Sequence, residues 1–130
     1  MRAKVLLVPV VVLALSAVLS SSAGAAQHSS RTLANTTVTI RAQGTDLSGQ
    51  VRSPAPNRCA NNRNVIVFKQ IGPRGGGNDV RFANDTASFS NGAYRWSTGN
   101  TGTPGRFYAH VFKTTQCKGA SSITVQAQPT

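Results

Sequence analysis

Side chains that could carry out catalysis are few in this sequence. The candidates are two histidines, His28 and His110, and three acids, Asp46, Asp79 and Asp85. The first histidine lies in a polar segment, and the second lies in an alternating apolar segment with no acid or nucleophile nearby in the sequence. Each aspartate is expected in a loop, beside Gly, Asn or Thr, where carboxylates commonly close local turns. A paired-carboxylate or Ser-His-Asp site is therefore not indicated.

The motifs that mark nucleophilic, metal or phosphate chemistry are also missing from the sequence. There is no G-x-S-x-G, no H-E-x-x-H and no P-loop pattern. The glycine run at residues 74–77 could offer backbone N–H groups to an anion, but it lacks the Lys and the helix that follow in phosphate-binding loops. We expect no catalytic residues, no metal and no cofactor, and we expect the protein not to be an enzyme.

Basic residues far outnumber acids, with 14 Lys and Arg against 3 Asp and Glu. They are spread along the chain, and several follow or separate apolar residues of predicted strands. Arg52, Arg81 and Arg95 would line one basic face if their strands shared a sheet. Because Arg exceeds Lys, contacts to phosphate or carboxylate groups are favoured. The alternative interpretation is a solvated surface whose charge serves solubility.

The N-terminal residues have the pattern of a secretory signal. Arg2 and Lys4 precede an apolar run at residues 5–19, and small residues follow up to Ala26. This pattern predicts a cleaved Sec-type signal peptide over residues 1–25. A retained anchor is the alternative, but the run is shorter than the ~20 residues that span a membrane. A polar leader (26–35) and one domain (36–130) follow, and we expect a secreted monomer without a membrane anchor.

Two cysteines, Cys59 and Cys117, would meet an oxidising environment after secretion. A single structural disulfide between them is the natural interpretation, since C-x-x-C and metal-ligand spacings are absent. The chain-entropy estimate for a loop of this length is roughly 4 kcal/mol. For a chain with few large apolar residues, that contribution would be a sizeable part of the total stability.

Short segments rich in β-branched and aromatic residues predict an all-β fold. Separators rich in Gly, Pro and Asn lie between them, and Asn91-Gly92 is the strongest hairpin signal. We predict an antiparallel, seven-stranded, Ig-like or prealbumin-like sandwich with one disulfide. The predicted strands are at residues 37–41, 47–52, 64–71, 80–82, 93–96, 107–112 and 122–125.

Several motifs together resemble one known family. They lie at residues 48–53, 63–67, 91–94, 105–109 and 117–122. The set is similar to carboxypeptidase regulatory-like (transthyretin-like) domains, whose pattern is G-x-V, V-x-V, a D/N-G-x-Y hairpin and G-x-Y before the last strands. This resemblance, over about residues 38–125, implies a seven-stranded prealbumin-like sandwich used as an accessory or binding module. The cysteine pair departs from the family, and the shared motifs are structural, so they transfer no functional residues.

The sequence thus predicts a secreted, non-catalytic binding or structural module whose ligand it does not specify. One alternative is a cationic protein that binds anionic surface polymers or extracellular nucleic acid. A second alternative is a small secreted hydrolase or inhibitor, which would require His110 to lie within hydrogen-bond reach of an Asp and a hydroxyl.

Overall fold

The computed structural model describes residues 32–130, which form a mostly β structure of two antiparallel sheets. The predicted signal peptide, His28 and the leader up to residue 31 lie outside the described residues. Ala34 forms a parallel bridge with Cys117. Within residues 32–130, no helix is long and apolar enough to cross a membrane.

Sheet 1 has five strands, and its central pair is β3 with β7. Strands β1 and β2 both pair with β3 on one side, and β6 pairs with β7 on the other. Its strands are β1 (Thr37–Val38), β2 (Arg41–Gln43), β3 (Asp46–Arg52), β6 (Ser88–Ser90) and β7 (Ala93–Asn100).

Sheet 2 also has five strands and is built around β4 and β8. Strand β5 pairs with β4, while β9 and β10 pair with β8. A single helical turn, α1 (Pro56–Cys59), connects β3 of sheet 1 to β4. The strands of sheet 2 are β4 (Asn64–Lys69), β5 (Val80–Thr86), β8 (Gly105–Val111), β9 (Ala120–Ser121) and β10 (Val125–Ala127).

The core is formed by residues of both sheets. Within the strands, these residues occupy the alternate positions that the sequence pattern predicts. On β8, Phe107, Ala109 and Val111 are fully buried in the cluster that also contains Leu47 and Trp96 of sheet 1. The residues between them in β8 point to the opposite face of sheet 2. The Trp96 ring is therefore a core residue, and its indole N–H donates to the carbonyl of Thr39 at 3.1 Å.

The predicted hairpin at Asn91-Gly92 is confirmed. Both residues have positive φ, 49° and 78°, and they join β6 to β7. A two-residue turn with positive φ at both positions matches the twist of antiparallel strands, which is why Asn-Gly is favoured there.

The first predicted strand is interrupted where the chain passes close to β3. Thr39 and Ile40 separate β1 from β2, and the Thr39 carbonyl points at the Trp96 indole over Gly49. A methyl group on Gly49 would overlap that carbonyl and would lie 2.8 Å from the indole nitrogen. Glycine is therefore needed at this close approach of two backbones. Val38 and Ile40 are nevertheless both buried, as the alternation predicts.

The last predicted strand, at residues 122–125, is wrong in position. Pairing with β8 stops after β9 and resumes at β10. Ser122 lies in the gap, where its hydroxyl accepts a hydrogen bond from the Ala109 N–H at 2.8 Å. A side-chain oxygen thus replaces the backbone carbonyl that a continuous ladder would use.

The predicted disulfide between Cys59 and Cys117 is present, with Cα atoms 5.6 Å apart. Beside it, the guanidinium of Arg63 is buried and donates to the carbonyls of Cys59 (3.0 Å), Phe112 (2.7 Å) and Lys118 (2.9 Å). Burial lowers the pKa of Arg63. The disulfide and this arginine together hold α1 against the end of β8 and the loop that follows.

Candidate binding surface

The three arginines predicted to share a basic face do not share a sheet. Arg52 on β3 and Arg95 on β7 belong to sheet 1, whereas Arg81 on β5 belongs to sheet 2. The reason is a crossover: after β5 the chain passes the buried Ala87 and joins the other sheet as β6. The predicted face of Arg52, Arg81 and Arg95 is therefore incorrect.

On sheet 1, the two arginines are bonded to the protein itself. Arg52 donates to the side-chain oxygen of Gln50 at 2.9 and 3.1 Å. Arg95 donates to the backbone carbonyls of Ser90 (3.0 Å) and Asn91 (3.4 Å) at the β6–β7 hairpin. These contacts hold both guanidinium groups against the surface of their own sheet.

A depression of about 600 Å³ also lies on sheet 1, with Arg41 and Arg95 in its lining. Asp85 lies there as well and accepts a hydrogen bond from the Ser97 backbone N–H at 2.7 Å. This aspartate is in β5, and Asp46 is in β3, so neither lies in a loop as the sequence interpretation expected. The carboxylate of Asp85 places one negative charge in the same lining as the two arginines.

On sheet 2, the face away from the core carries a row of aromatic rings. Tyr108 and His110 alternate with the core residues of β8, and Phe112 follows directly after that strand. Phe68 on β4 is opposite Tyr108, and their rings are stacked with centroids 5.4 Å apart. His110 meets Phe68 at 6.3 Å and Phe112 at 4.5 Å, both edge to face. Phe112 is 50% exposed.

Two arginines lie over this row of rings. The guanidinium carbon of Arg74 is 4.1 Å from the Tyr108 ring centroid, and that of Arg81 is 5.6 Å from the Phe112 centroid. Both distances are within the range of cation–π contacts. We call the surface formed by these side chains the arginine–aromatic face. Its members are Phe68, Arg74, Arg81, Tyr108, His110 and Phe112.

The loop that carries Arg74 is organised by Asp79. Its carboxylate accepts hydrogen bonds from the Tyr108 hydroxyl (2.7 Å) and from the backbone N–H groups of Ile71 (3.1 Å) and Gly75 (3.3 Å). These bonds, chiefly the one from Tyr108, lower the pKa of Asp79, and burial together with the aspartate raises the pKa of Tyr108. The glycine run therefore binds a carboxylate of its own chain, which positions Arg74 over Tyr108.

His110 has one of the two partners that the hydrolase alternative requires. Its Nδ1 is 2.6 Å from the hydroxyl of Ser121, the residue opposite it on β9. Within residues 32–130, no carboxylate is hydrogen-bonded to this histidine, and Asp79 is bonded to Tyr108 instead. Burial, and to a smaller extent the charge of Arg74, lower the pKa of His110. The contact is a cross-strand pair that lacks the carboxylate of a triad.

The arginine–aromatic face was missed in the sequence interpretation. The signal that could have indicated it is Tyr108-x-His110-x-Phe112, an aromatic series on the positions opposite Phe107, Ala109 and Val111. A strand with large rings on both faces is not explained by one core alone. Arg74 had no comparable signal, because its position depends on a loop folded around Asp79.

Within the part of the chain that the structure describes, no group of three or more His, Cys, Asp or Glu side chains could hold a metal ion. Comparison with protein-family models finds no match to this chain, and no curated protein matches its sequence.

Proposed function

We propose that this protein is a secreted, non-catalytic binding module that uses its arginine–aromatic face to bind anionic polymers. The disulfide is compatible with an extracellular location, since such bonds persist in oxidising compartments. The predicted signal peptide supports the same location. The module acts as a monomer.

We also propose an Ig-like or prealbumin-like sandwich of seven strands for this module. Two pairs of neighbouring strands, β1 with β2 and β9 with β10, each pair with the same strand of their sheet and are separated by two or three residues. Counting each of these pairs as one interrupted strand reduces ten strands to eight. Counting β5 and β6 as one strand that changes sheets at Ala87 gives seven. This count and the two antiparallel sheets support the proposed relation to carboxypeptidase regulatory-like domains.

The placement of Arg74 over the Tyr108 ring and of Arg81 over the Phe112 ring, which is 50% exposed, carries the functional proposal. Arginine and aromatic side chains are the residue types enriched at the centres of binding surfaces. Residues 32–130 have 11 Lys and Arg against 3 Asp, a net charge of +8. The nearest acid to this face, Asp79, shares its charge with three hydrogen-bond donors. The face therefore combines attraction for anions with apolar contact area.

The test measures the affinity of the protein for immobilised heparin, a polyanion, at increasing NaCl concentrations. We expect affinity to fall steeply with salt, as it does when basic side chains displace counterions. The double variant Arg74→Ala/Arg81→Ala should lower the affinity about tenfold or more and reduce the slope of log affinity against log salt by about two.

The matched control is Arg52→Ala/Arg95→Ala, which removes the same charge from sheet 1. We expect this variant to retain most of the wild-type affinity. Equal losses in the two double variants would assign binding to diffuse charge and contradict the proposed surface. Failure of the wild-type protein to bind heparin at low salt would contradict the polyanion proposal itself.

A further inference from the structure

We propose that anion binding at the arginine–aromatic face is coupled to protonation of His110, so that the protein binds anionic polymers more tightly at acidic pH. This inference rests on the proposed function and specifies how that function is regulated. The imidazole of His110 is the one group of the face whose charge changes between about pH 8 and about pH 5. When protonated, it adds a third positive charge to those of Arg74 and Arg81.

His110 lies among the side chains that the two arginines cover. Its ring meets that of Phe112 at 4.5 Å, and Arg81 lies over the Phe112 ring. Arg74 lies over Tyr108, two positions before His110 on β8. His110 and Arg74 also line the same depression, which has a volume of about 270 Å³. An anionic group that enters this depression therefore lies close to both side chains.

The hydrogen bond of the His110 ring is compatible with protonation. Nδ1 is 2.6 Å from the hydroxyl of Ser121. A hydroxyl can donate to a neutral imidazole or accept from an imidazolium, so this contact is kept in both states. In both states Nε2 then carries a hydrogen, and within residues 32–130 it has no hydrogen-bond partner. Protonation therefore adds a charge without breaking a contact, and the ring keeps a donor for an anion.

The other charged or titratable groups around His110 keep their charge over this range of pH. Arg74, in the loop between β4 and β5, and Arg81, on β5, stay protonated. Hydrogen bonds, chiefly from Tyr108, lower the pKa of Asp79, so this carboxylate stays ionised. Burial and Asp79 raise the pKa of Tyr108, so its hydroxyl stays neutral. On β4 and β9, the residues opposite His110 are not ionisable.

The coupling follows from the charges on this face. In the free protein, burial and, to a smaller extent, the charge of Arg74 lower the pKa of His110. A bound sulfate or carboxylate group offsets the positive charge and favours the imidazolium, so the pKa of His110 rises on binding. By linkage, an anion that raises this pKa binds more tightly to the protonated protein.

The direction of the pH effect is therefore fixed. Above the pKa that His110 has in the complex, affinity does not depend on this histidine. Affinity increases as the pH falls through that value, and it becomes constant below the lower pKa of the free protein.

The experiment measures heparin affinity at a fixed, low NaCl concentration from about pH 8 to about pH 5. Heparin is suitable because its sulfate groups stay ionised over this range. We expect the wild-type protein to bind about three- to fivefold more tightly at the acidic end, as one exposed ion pair contributes. The slope of log affinity against log salt should also become steeper by about one, because one more cation displaces counterions.

The test variant is His110→Gln, which keeps a polar side chain without a titratable group. It should bind heparin as the wild-type protein does at about pH 8 and should lack the gain at about pH 5. A variant with a damaged structure would instead lose affinity at both ends of the range. The matched control is His28→Gln, which removes the other histidine of the sequence and should retain the pH dependence.

NMR titration of the wild-type protein tests the coupling without a substitution. The pKa of His110 should be higher in the presence of a saturating heparin oligosaccharide than in its absence. Two results would overturn the inference: a wild-type affinity that does not change with pH while the pKa of His110 stays the same, or a pH dependence that persists in His110→Gln.

Neither of these results would contradict the proposed function, because salt-dependent binding that requires Arg74 and Arg81 would still support it. Failure of the wild-type protein to bind heparin at low salt at every pH would instead contradict the proposed function.

Discussion

The outer faces of the two sheets both carry arginines, but the partners of those arginines differ. On sheet 1, Arg52 and Arg95 donate to an amide oxygen and to hairpin carbonyls. On sheet 2, Arg74 and Arg81 lie over aromatic rings, and within residues 32–130 their guanidinium groups donate no hydrogen bond to the protein. Arginine side chains thus stabilise the outer surface of sheet 1, whereas on sheet 2 they lie over rings where a ligand can reach them.

This difference shows why charge patterning alone does not locate a binding surface. An arginine that donates to carbonyl groups has fewer N–H donors left for a ligand and a fixed orientation, whereas a guanidinium stacked on a ring keeps its edge free. Arg63 is the limiting case, because its guanidinium is buried among three carbonyl groups. A count of basic residues does not distinguish arginines that are bonded to the surface, stacked on rings or buried.

The largest expected effect concerns the disulfide, which supports the end of sheet 2. The double variant Cys59→Ala/Cys117→Ala should lower the free energy of unfolding by about 4 kcal/mol, because the unfolded chain regains the freedom of the closed loop. Urea unfolding monitored by tryptophan fluorescence measures the change. Reductant should destabilise the wild-type protein and leave the double variant unaffected. An unchanged midpoint in the double variant would show that the bond contributes nothing.

A smaller loss of unfolding free energy is expected at Gly49, where β3 of sheet 1 lies close to the Thr39 carbonyl. Gly49→Ala introduces a methyl group where the Thr39 carbonyl lies, so β1 and β2 must shift away from β3. Overpacking of this kind costs about 1–3 kcal/mol. The control is Gly76→Ala in the exposed loop, where the added methyl would be 3.1 Å from the Pro73 carbonyl oxygen.

Urea unfolding of both glycine variants measures how much stability depends on the close approach at Gly49 in sheet 1. We expect a clear loss of stability for Gly49→Ala and a small change for Gly76→Ala, with heparin affinity at low urea retained in Gly49→Ala. Equal midpoints for the two variants would contradict the close approach at Gly49. Loss of heparin binding in folded Gly49→Ala would contradict the independence of the two faces.

Local patterns were sufficient to predict the β class, the hairpin at residues 91–92 and the disulfide pair. Each of these depends on residues whose types restrict the backbone or can bond to only one partner. The break between β1 and β2 could not be predicted in this way, because it depends on Gly49 and Trp96, which are distant from Thr39 in the sequence. Nor could the gap at Ser122, where a hydroxyl replaces a carbonyl.

The candidate site was harder to predict than the fold for a related reason. Alternation assigned Arg52, Arg81 and Arg95 correctly to exposed positions but carried no information on which sheet each strand joins. The crossing at Ala87 is a property of the whole fold. Likewise, Arg74 is positioned by the hydrogen bonds of Asp79, which join the loop at residues 71–79 to Tyr108 on β8.

The smallest expected effect tests whether Arg74 lies over the rings of sheet 2 in solution. NMR titration should give His110 a pKa below its usual 6.5, because burial and the charge of Arg74 both disfavour the imidazolium. Arg74→Ala should raise that pKa only part of the way to 6.5, since burial is the larger cause. Arg95→Ala, which removes a charge from sheet 1, should leave it unchanged.

The same titration fixes the direction of a pH effect on stability. Because the pKa of His110 is lower in the folded than in the unfolded protein, the unfolded state binds more protons near pH 6. This histidine's contribution to stability is therefore complete above pH 6.5 and is lost as the pH falls through the folded-state pKa. Arg74→Ala should make that loss smaller. Identical His110 titrations in Arg74→Ala and Arg95→Ala would show that Arg74 does not act on this face, and the contrast between the two sheets would lose its electrostatic basis.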